Sequence, residues 1–367
     1  MAMTNIIVGE STMESVVLYP YNDSYLPVIK YRSLIKDYEI KSIVTDSKWK
    51  EDKIQYYKNH YDIIVTENFE LGIKGSDILW LIDDDQSLSN RANLLSKLAR
   101  AIFLGKKILF GRYKDLLLRD FICDYFGQEC LYSLEKIQLQ YISPELQLQL
   151  LDMDVPIVFI TGVTGNTEKY NILLGVYSEI SKQGYNISAI SARRDSEMMG
   201  IHSMPDFMWD KNIKISDKIL EFNHFIKQIE LKNTPELIII EIPGGCIPYT
   251  HKVHNYFGEF IYIISNAIVS DYAILSSLNE KYDPNYFSNM EEIIESRYNI
   301  HLNSHYISCK ALDVFDDNIA NVEGKFLSVK EEFHSETIEQ VKGINSTIYY
   351  SENFQEIAEE IISCLSR

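Results

Sequence analysis

Positive charge is scarce in this chain: 35 lysines and arginines stand against 53 aspartates and glutamates, for a net charge of −18 and a pI near 4.9. Nonspecific attachment to nucleic acid or to anionic lipid needs a positive field, so the deficit argues against both kinds of partner; an acidic cytosolic enzyme or a protein that meets a basic partner fits better, and solubility alone is the plain reading of the charge. Cysteine is scarce too. Cys123, Cys130, Cys246, Cys309 and Cys364 are scattered, odd in number and without C-x-x-C spacing, which excludes a disulfide framework, a zinc knuckle and an iron–sulfur site and fits reduced thiols. The eight histidines include no H-x-x-x-H or H-E-x-x-H pair. His251 and His254 fall on one helix face by spacing, but a solvated or capping pair explains them, and no metal centre is expected. The first fifteen residues lack the basic start and apolar middle of a secretory signal, and no apolar run reaches membrane-spanning length. A cytoplasmic protein without membrane association is therefore expected.

What is present is an ordinary globular composition, 46% hydrophobic and 24% charged, over 367 residues, enough for two domains with sizeable cores. The 25 tyrosines and 16 phenylalanines are not interleaved with basic residues, so they suit core packing and not a base-stacking surface. The first part alternates regularly. Ser15–Leu18, Ile40–Val44, Tyr61–Val65, Ile78–Ile82 and Lys107–Phe110 read as strands, with Leu26–Ile35 and Leu88–Leu104 as helices between them. Such alternation implies βαβ units and a parallel, Rossmann-like sheet. No G-x-G-x-x-G follows the first strand, so dinucleotide binding has no support. Asp83-Asp84-Asp85 lies at a strand's carboxyl end, where a polar turn is the simpler reading. Helical periodicity over Asp115–Gln149 ends at Asp152-Met153-Asp154, which puts a domain boundary near residue 150: a first domain over 1–150 and a second over 151–367.

The second domain opens with VPIVFITGVTGNTEKY, Val155 to Tyr170. A continuous apolar run is followed by a turn with Gly162 and Gly165, and then by residues at helical spacing from Asn171 to Tyr177. Strand, glycine turn and helix in this order make a phosphate-binding loop, in which backbone N–H groups cradle phosphate and a lysine reaches the outer oxygens. With Lys169 as that lysine, Gly162, Thr164, Gly165, Asn166 and Thr167 form the cradle. Two positions depart from G-x-x-x-x-G-K-[ST]. Glu168 stands where the second glycine belongs and would put negative charge beside phosphate; Tyr170 stands where a Ser or Thr would hold Mg²⁺, and a phenol is a poor ligand.

Farther on, the strand Tyr185–Ile190 ends in Ser191-Ala192-Arg193-Arg194-Asp195. Polar residues there would face the crevice at the strands' carboxyl ends, with Arg193 or Arg194 on phosphate and Asp195 or Glu197 toward a metal; a solvated loop is the plain alternative. Gly200 to Asp210, GIHSMPDFMWD, packs a histidine, aspartates and large apolar residues around a proline, more like a shaped pocket loop than a connector. Leu237–Glu241 is an apolar strand ending in a carboxylate, followed by Ile242-Pro243-Gly244-Gly245. That is the form of a second nucleotide-site signature, with Glu241 to orient Mg²⁺ or water and Gly244 and Gly245 to let backbone approach a ligand. Later segments read as helix Phe257–Ala267, strand Tyr272–Leu275, helix Met290–Ser296, strand His305–Ser308, edge strands at Lys325–Val329 and Ser346–Tyr350, and a closing helix Phe354–Leu365.

The pairing of ITGVTGNTEKY with IIIIEIPGGCIPYT resembles the P-loop fold of dethiobiotin synthetase and its relatives, where the glycine loop is matched by an E-G-x-G-G segment after a later strand. A Rossmann-like domain ahead of such a unit resembles two-domain P-loop proteins of amino-acid metabolism. VPIVFITGVTGNTEKY, GIHSMPDFMWDKNI, FNHFIKQIE and IIIEIPGG together resemble the peptide maturation system proteins of clostridial, bacteriocin-like natural-product cassettes, over most of the chain. That resemblance implies a precursor peptide, a radical SAM maturase and an acyl carrier-related protein as neighbours, and it implies no particular reaction. By position it gives Gly162, Gly165 and Lys169 to the loop and Glu241, Gly244 and Gly245 to the second signature.

The expected fold is α/β in two domains, an N-terminal Rossmann-like parallel sheet and a C-terminal P-loop NTPase-like parallel sheet with helices on both faces. Two functions stay open. In one the protein is an enzyme that uses ATP with Mg²⁺ to activate a peptide or carrier-bound acyl group, with Lys169, Glu241 and Asp195 catalytic and Lys169 and Arg193 on the phosphates. In the other it is a non-catalytic P-loop-fold scaffold, self-associating as a homodimer or not, that presents the precursor peptide to a maturase.

Overall fold

A computed structural model describes residues 13–45, 49–82, 91–110, 116–132, 148–250, 253–283, 285–312, 326–328, 344, 346–350 and 352–366. The chain divides into two compact units, the first holding residues 1–135 and 197–200 and the second holding 136–196 and 201–367.

The first unit is built on five strands, β1 (Glu14–Tyr19), β2 (Tyr38–Val44), β3 (Ile64–Thr66), β4 (Ile78–Leu81) and β5 (Lys107–Phe110). They pair in the order β3-β2-β1-β4-β5, all parallel. This is the doubly wound 3-2-1-4-5 order. Helices α1 (Leu26–Lys30), α2 (Glu51–Tyr61), α3 (Phe69–Ile73), α4 (Arg91–Phe103) and α5 (Leu116–Phe126) form the connections. Where a dinucleotide fold has its glycine turn, β1 runs instead into Pro20-Tyr21, and Tyr21 is buried edge-on against Trp49 and Tyr57. The aspartate triplet at 83–85 lies outside the described residues.

The second unit carries a seven-stranded parallel sheet of β6 (Ile157–Gly162), β7 (Ile187–Ser191), β8 (His202–Ser203), β9 (Leu237–Glu241), β10 (Tyr272–Ser277), β11 (Ser304–Ile307) and β14 (Thr347–Tyr350). Their order is β14-β11-β10-β6-β9-β7-β8, which puts the glycine-loop strand β6 between β10 and β9. All six residues of β6 are buried, because helices cover both faces. On one face Ile157 and Phe159 join a core with residues of α7 (Ile215–Asn233), α8 (Glu259–Ala267) and α9 (Tyr286–Tyr298). The alternate residues Val158 and Ile160 are equally buried on the other face, where α6 (Lys169–Lys182) packs against α10 (Phe354–Leu365).

Three segments differ from the sequence expectation. The helix expected over Leu26–Ile35 ends at Lys30, and a separate short turn covers Arg32–Leu34. Residues 326–328 do not extend the main sheet; they form β13, antiparallel to β12 (Lys310–Leu312). The 201–210 stretch supplies edge strand β8 and core methionines Met204 and Met208, while His202 faces Asn233 Nδ2 at 2.9 Å. Burial, reinforced by Lys232, pushes the His202 pKa down to about 4, so its ring is neutral at pH 7.

One contact tests this layering. A Cβ on Gly175 of α6 would come within 2.3 Å of the Phe354 ring of α10. Gly175→Val should therefore lower the free energy of unfolding by about 1–3 kcal/mol through overpacking, measured by urea denaturation. Adding Phe354→Ala should recover part of that loss, because the two residues share one space.

Candidate phosphate-binding site

The loop that follows β6 is pinned on both sides. Gly162 O accepts from Cys246 N at 2.9 Å, in the segment after β9, and Val163 N donates to Ser276 O at 2.9 Å, at the end of β10. The loop then folds back over its own start. A Cβ on Gly162 would sit 2.2 Å from Thr167 Oγ1, so this glycine is needed for close approach. Thr167 Oγ1 donates to Thr164 O at 3.3 Å, Ser276 Oγ donates to Thr167 O, and Asn166 N donates to Thr164 Oγ1 at 3.4 Å. Thr164 and Thr167 are buried while Asn166 is exposed.

Lys169 is the first residue of α6, and its side chain is buried. Its ammonium donates to Thr164 O at 2.9 Å, to Gly165 O at 3.4 Å and to Gly244 O at 2.5 Å. The lysine thus joins the glycine loop to the second signature. Gly244 has φ +68, a conformation that only glycine adopts freely. Gly245 is glycine for a different reason, since a Cβ there would meet Val163 O at 2.5 Å and the Asn255 amide at 2.7 Å.

Glu168 adopts φ 62, ψ 19, the left-handed conformation expected of the glycine it replaces. Holding a non-glycine residue there costs on the order of 1–2 kcal/mol. The side chain offsets this by accepting from Cys309 N at 2.8 Å, which ties the loop to the chain following β11. The carboxylate is engaged with protein backbone.

Tyr170 is buried, and the Arg193 guanidinium lies 4.4 Å from its ring centroid, a cation–π distance. The same guanidinium makes a two-pronged pair with Asp195 (Nε to Oδ1 3.2 Å, Nη2 to Oδ2 3.2 Å), and Asp195 is fully buried. Glu241 ends β9 in register with Ile160 of β6. Its Oε2 accepts from Ser191 Oγ at 2.6 Å and from Ala192 N at 3.3 Å. Burial pushes the Glu241 pKa up, and the Ser191 bond, Lys169 and Arg193 pull against that rise.

The structure therefore gathers Lys169, Glu241 and Arg193 into one electrostatic neighbourhood, with Asp195 joined through Arg193. Gly162, Thr164, Gly165, Thr167, Gly244 and Gly245 line the two loops that Lys169 connects. Sequence reading missed Ser276, Cys309 and Asn255, whose partners in the glycine loop are 92 to 141 residues away and leave no local pattern. His251 of the histidine pair lies outside the described residues, and His254 stacks on Phe257.

The donor set suits phosphate at a helix N-terminus better than a magnesium ion. Position 170 offers a phenol packed under a guanidinium, and both candidate carboxylates are already hydrogen-bonded within the protein. Among the described residues no group of three or more His, Cys, Asp or Glu side chains is placed to hold a metal ion, and no helix is long and apolar enough to cross a membrane.

No protein-family model matches this sequence, and no curated protein matches it either. Among solved structures, a DUF1611 family protein from Anabaena variabilis ATCC 29413 aligns over 96% of this chain and 99% of its own, with a TM-score of 0.58 at 9% identity. The two share a fold. A pseudomurein peptide ligase type C from Methanothermus fervidus (TM-score 0.28, 14% identity, 92% of this chain and 48% of that one) overlaps too poorly to extend the comparison. The same is true of a glycosyltransferase from Rickettsia africae ESF-5 (TM-score 0.23, 12% identity, 97% and 89%).

The raised Glu241 pKa has a signed consequence. Between the ordinary carboxylate range and its higher folded value, the native state holds a proton that the unfolded state has released. Its contribution to stability therefore falls as pH rises through that window. Glu241→Gln keeps an acceptor for Ser191 and removes the titration, so the difference in unfolding free energy between variant and wild type should shift in favour of the variant from pH 4 upward. Urea unfolding across about pH 4–8 checks this.

Proposed function

We propose that the second unit binds the phosphate tail of ATP on the loop from Gly162 to Lys169, and that the protein is a component of a peptide maturation system. The carrying observation is the Lys169 ammonium. It is buried at the N-terminus of a fourteen-residue helix and bonded to carbonyls of both signature loops. A phosphate oxygen would replace a neutral carbonyl acceptor with an anionic one, adding the attraction of an ion pair, and the helix dipole favours the same anion. The peptide role rests on the resemblance of four sequence segments to maturation-system proteins, and the −18 charge suits a basic peptide.

Within that role, an activating enzyme would transfer part of the nucleotide to a peptide or carrier-bound acyl group. A scaffold would bind the nucleotide and present the peptide without turnover. Tyr170 supports the scaffold, because a ring under Arg193 stands where magnesium-dependent hydrolases place a hydroxyl.

Calorimetric titration with ATP, ADP and GTP, with and without Mg²⁺, tests the reading. ATP should bind in either condition, and Lys169→Ala should weaken it at least tenfold, about 1.4 kcal/mol or more. The absence of heat with every nucleotide, in folded protein, would contradict the proposal. ATP consumption that starts only on adding a precursor peptide would select the enzyme; binding without consumption would select the scaffold.

A further inference from the structure

Asn255 is among the most deeply buried polar residues of the second unit, and neither signature contains it. Its amide nitrogen donates to Val163 O at 2.9 Å, in the loop after β6, and to Ile247 O at 2.8 Å, in the loop after β9. These are the two loops that the Lys169 ammonium also spans. Oδ1 is buried without a hydrogen-bond partner in the protein. That fixes the orientation of the amide, because a flip would set Oδ1 against two carbonyl oxygens.

The backbone at this point is strained in a way that needs a reason. Asn255, Tyr256 and Phe257 have φ of 50, 52 and 55, followed by Gly258 at 78, a left-handed run with three consecutive non-glycine residues. Asparagine tolerates that region, but aromatic residues do not, and such strain persists only where surrounding contacts over-determine it. The contacts are specific. Tyr298 Oη donates to Cys246 O at 2.5 Å, and a Cβ on Gly258 would collide with both atoms, at 2.2 and 2.5 Å. Gly245, opposite, has no Cβ because the Asn255 amide fills that space at 2.7 Å.

We propose that Asn255 is a positioning residue of the phosphate site: its amide, admitted by Gly245 and presented by the left-handed turn, clamps the glycine loop to the second-signature loop and holds the Lys169 acceptors in register. The ligand named for that site rests on the nucleotide reading above, whereas the clamp itself is a property of the two loops. Gly245 then serves as space for the Asn255 side chain and not as a contact to nucleotide.

Two measurements on the full chain test this. Asn255→Asp keeps the size and the tolerance of left-handed backbone but has no N–H to donate at neutral pH, and Gly245→Ala attacks the same contact from the other side. In both, amide hydrogen exchange over 162–169 and 244–248 should accelerate roughly tenfold while α10 exchanges as in wild type, and ATP should bind roughly tenfold more weakly in calorimetry. Asn255→Ser, which can still donate to one carbonyl, should fall between Asn255→Asp and wild type, a graded rescue that loss of packing alone would not give. Wild-type exchange over both loops in Asn255→Asp and Gly245→Ala would overturn the clamp, as would acceleration spread evenly through the unit. If wild-type protein binds no ATP, the nucleotide reading fails, and the exchange pattern alone decides the clamp.

Discussion

A buried ammonium needs acceptors, and the arrangement of the second unit follows from how Lys169 finds them. A cation taken out of water without partners is costly, and this one donates to the carbonyls of Thr164, Gly165 and Gly244. Those carbonyls converge because β6 lies beside β9 in the sheet, Gly162 lets its loop fold back on itself, Gly244 takes a left-handed φ, and Gly245 leaves room for Val163 O of the facing loop. The ammonium also acts electrostatically on Glu241, and the whole group sits at the carboxyl end of a parallel sheet, where open α/β folds place their ligands.

The negative groups nearby have partners of their own in the protein. Glu168 gives its carboxylate to Cys309 N, Asp195 pairs with Arg193, and Glu241 is buried against Ser191 with its pKa raised. Each departure from the hydrolase pattern thus has a structural partner. Glu168 takes up the glycine conformation and ties the loop to β11's far end, and Tyr170 supports Arg193. Glu168 keeps the left-handed turn of the loop, and Tyr170 changes what the loop offers to a metal.

Much of this was legible beforehand, for identifiable reasons. Strands buried on both faces, such as Ile78–Leu81 in the first unit and Ile157–Gly162 and Leu237–Glu241 in the second, are continuous apolar runs, and they announced both parallel sheets. Lys169, Glu241 and the signature glycines stand at the ends of those runs, so their meeting followed from the topology. The helix α7 was not legible, because it buries Lys218, Asn223, His224 and Glu230 and so breaks its own apolar stripe. Nor was α2, which buries only Tyr57. The Glu168–Cys309 tie and the Asn255 clamp join residues distant in sequence through single backbone atoms, and no spacing rule reports such contacts.

The central claim is that the Lys169 ammonium moves onto phosphate when ATP binds. The most direct measurement is a crystal structure of the protein grown with ATP and without divalent cation. The account predicts the phosphate tail against residues 164–169, with Lys169 Nζ on a phosphate oxygen and no longer on Gly244 O. Nucleotide bound elsewhere, with Lys169 still on the carbonyls of Thr164 and Gly244, would contradict it.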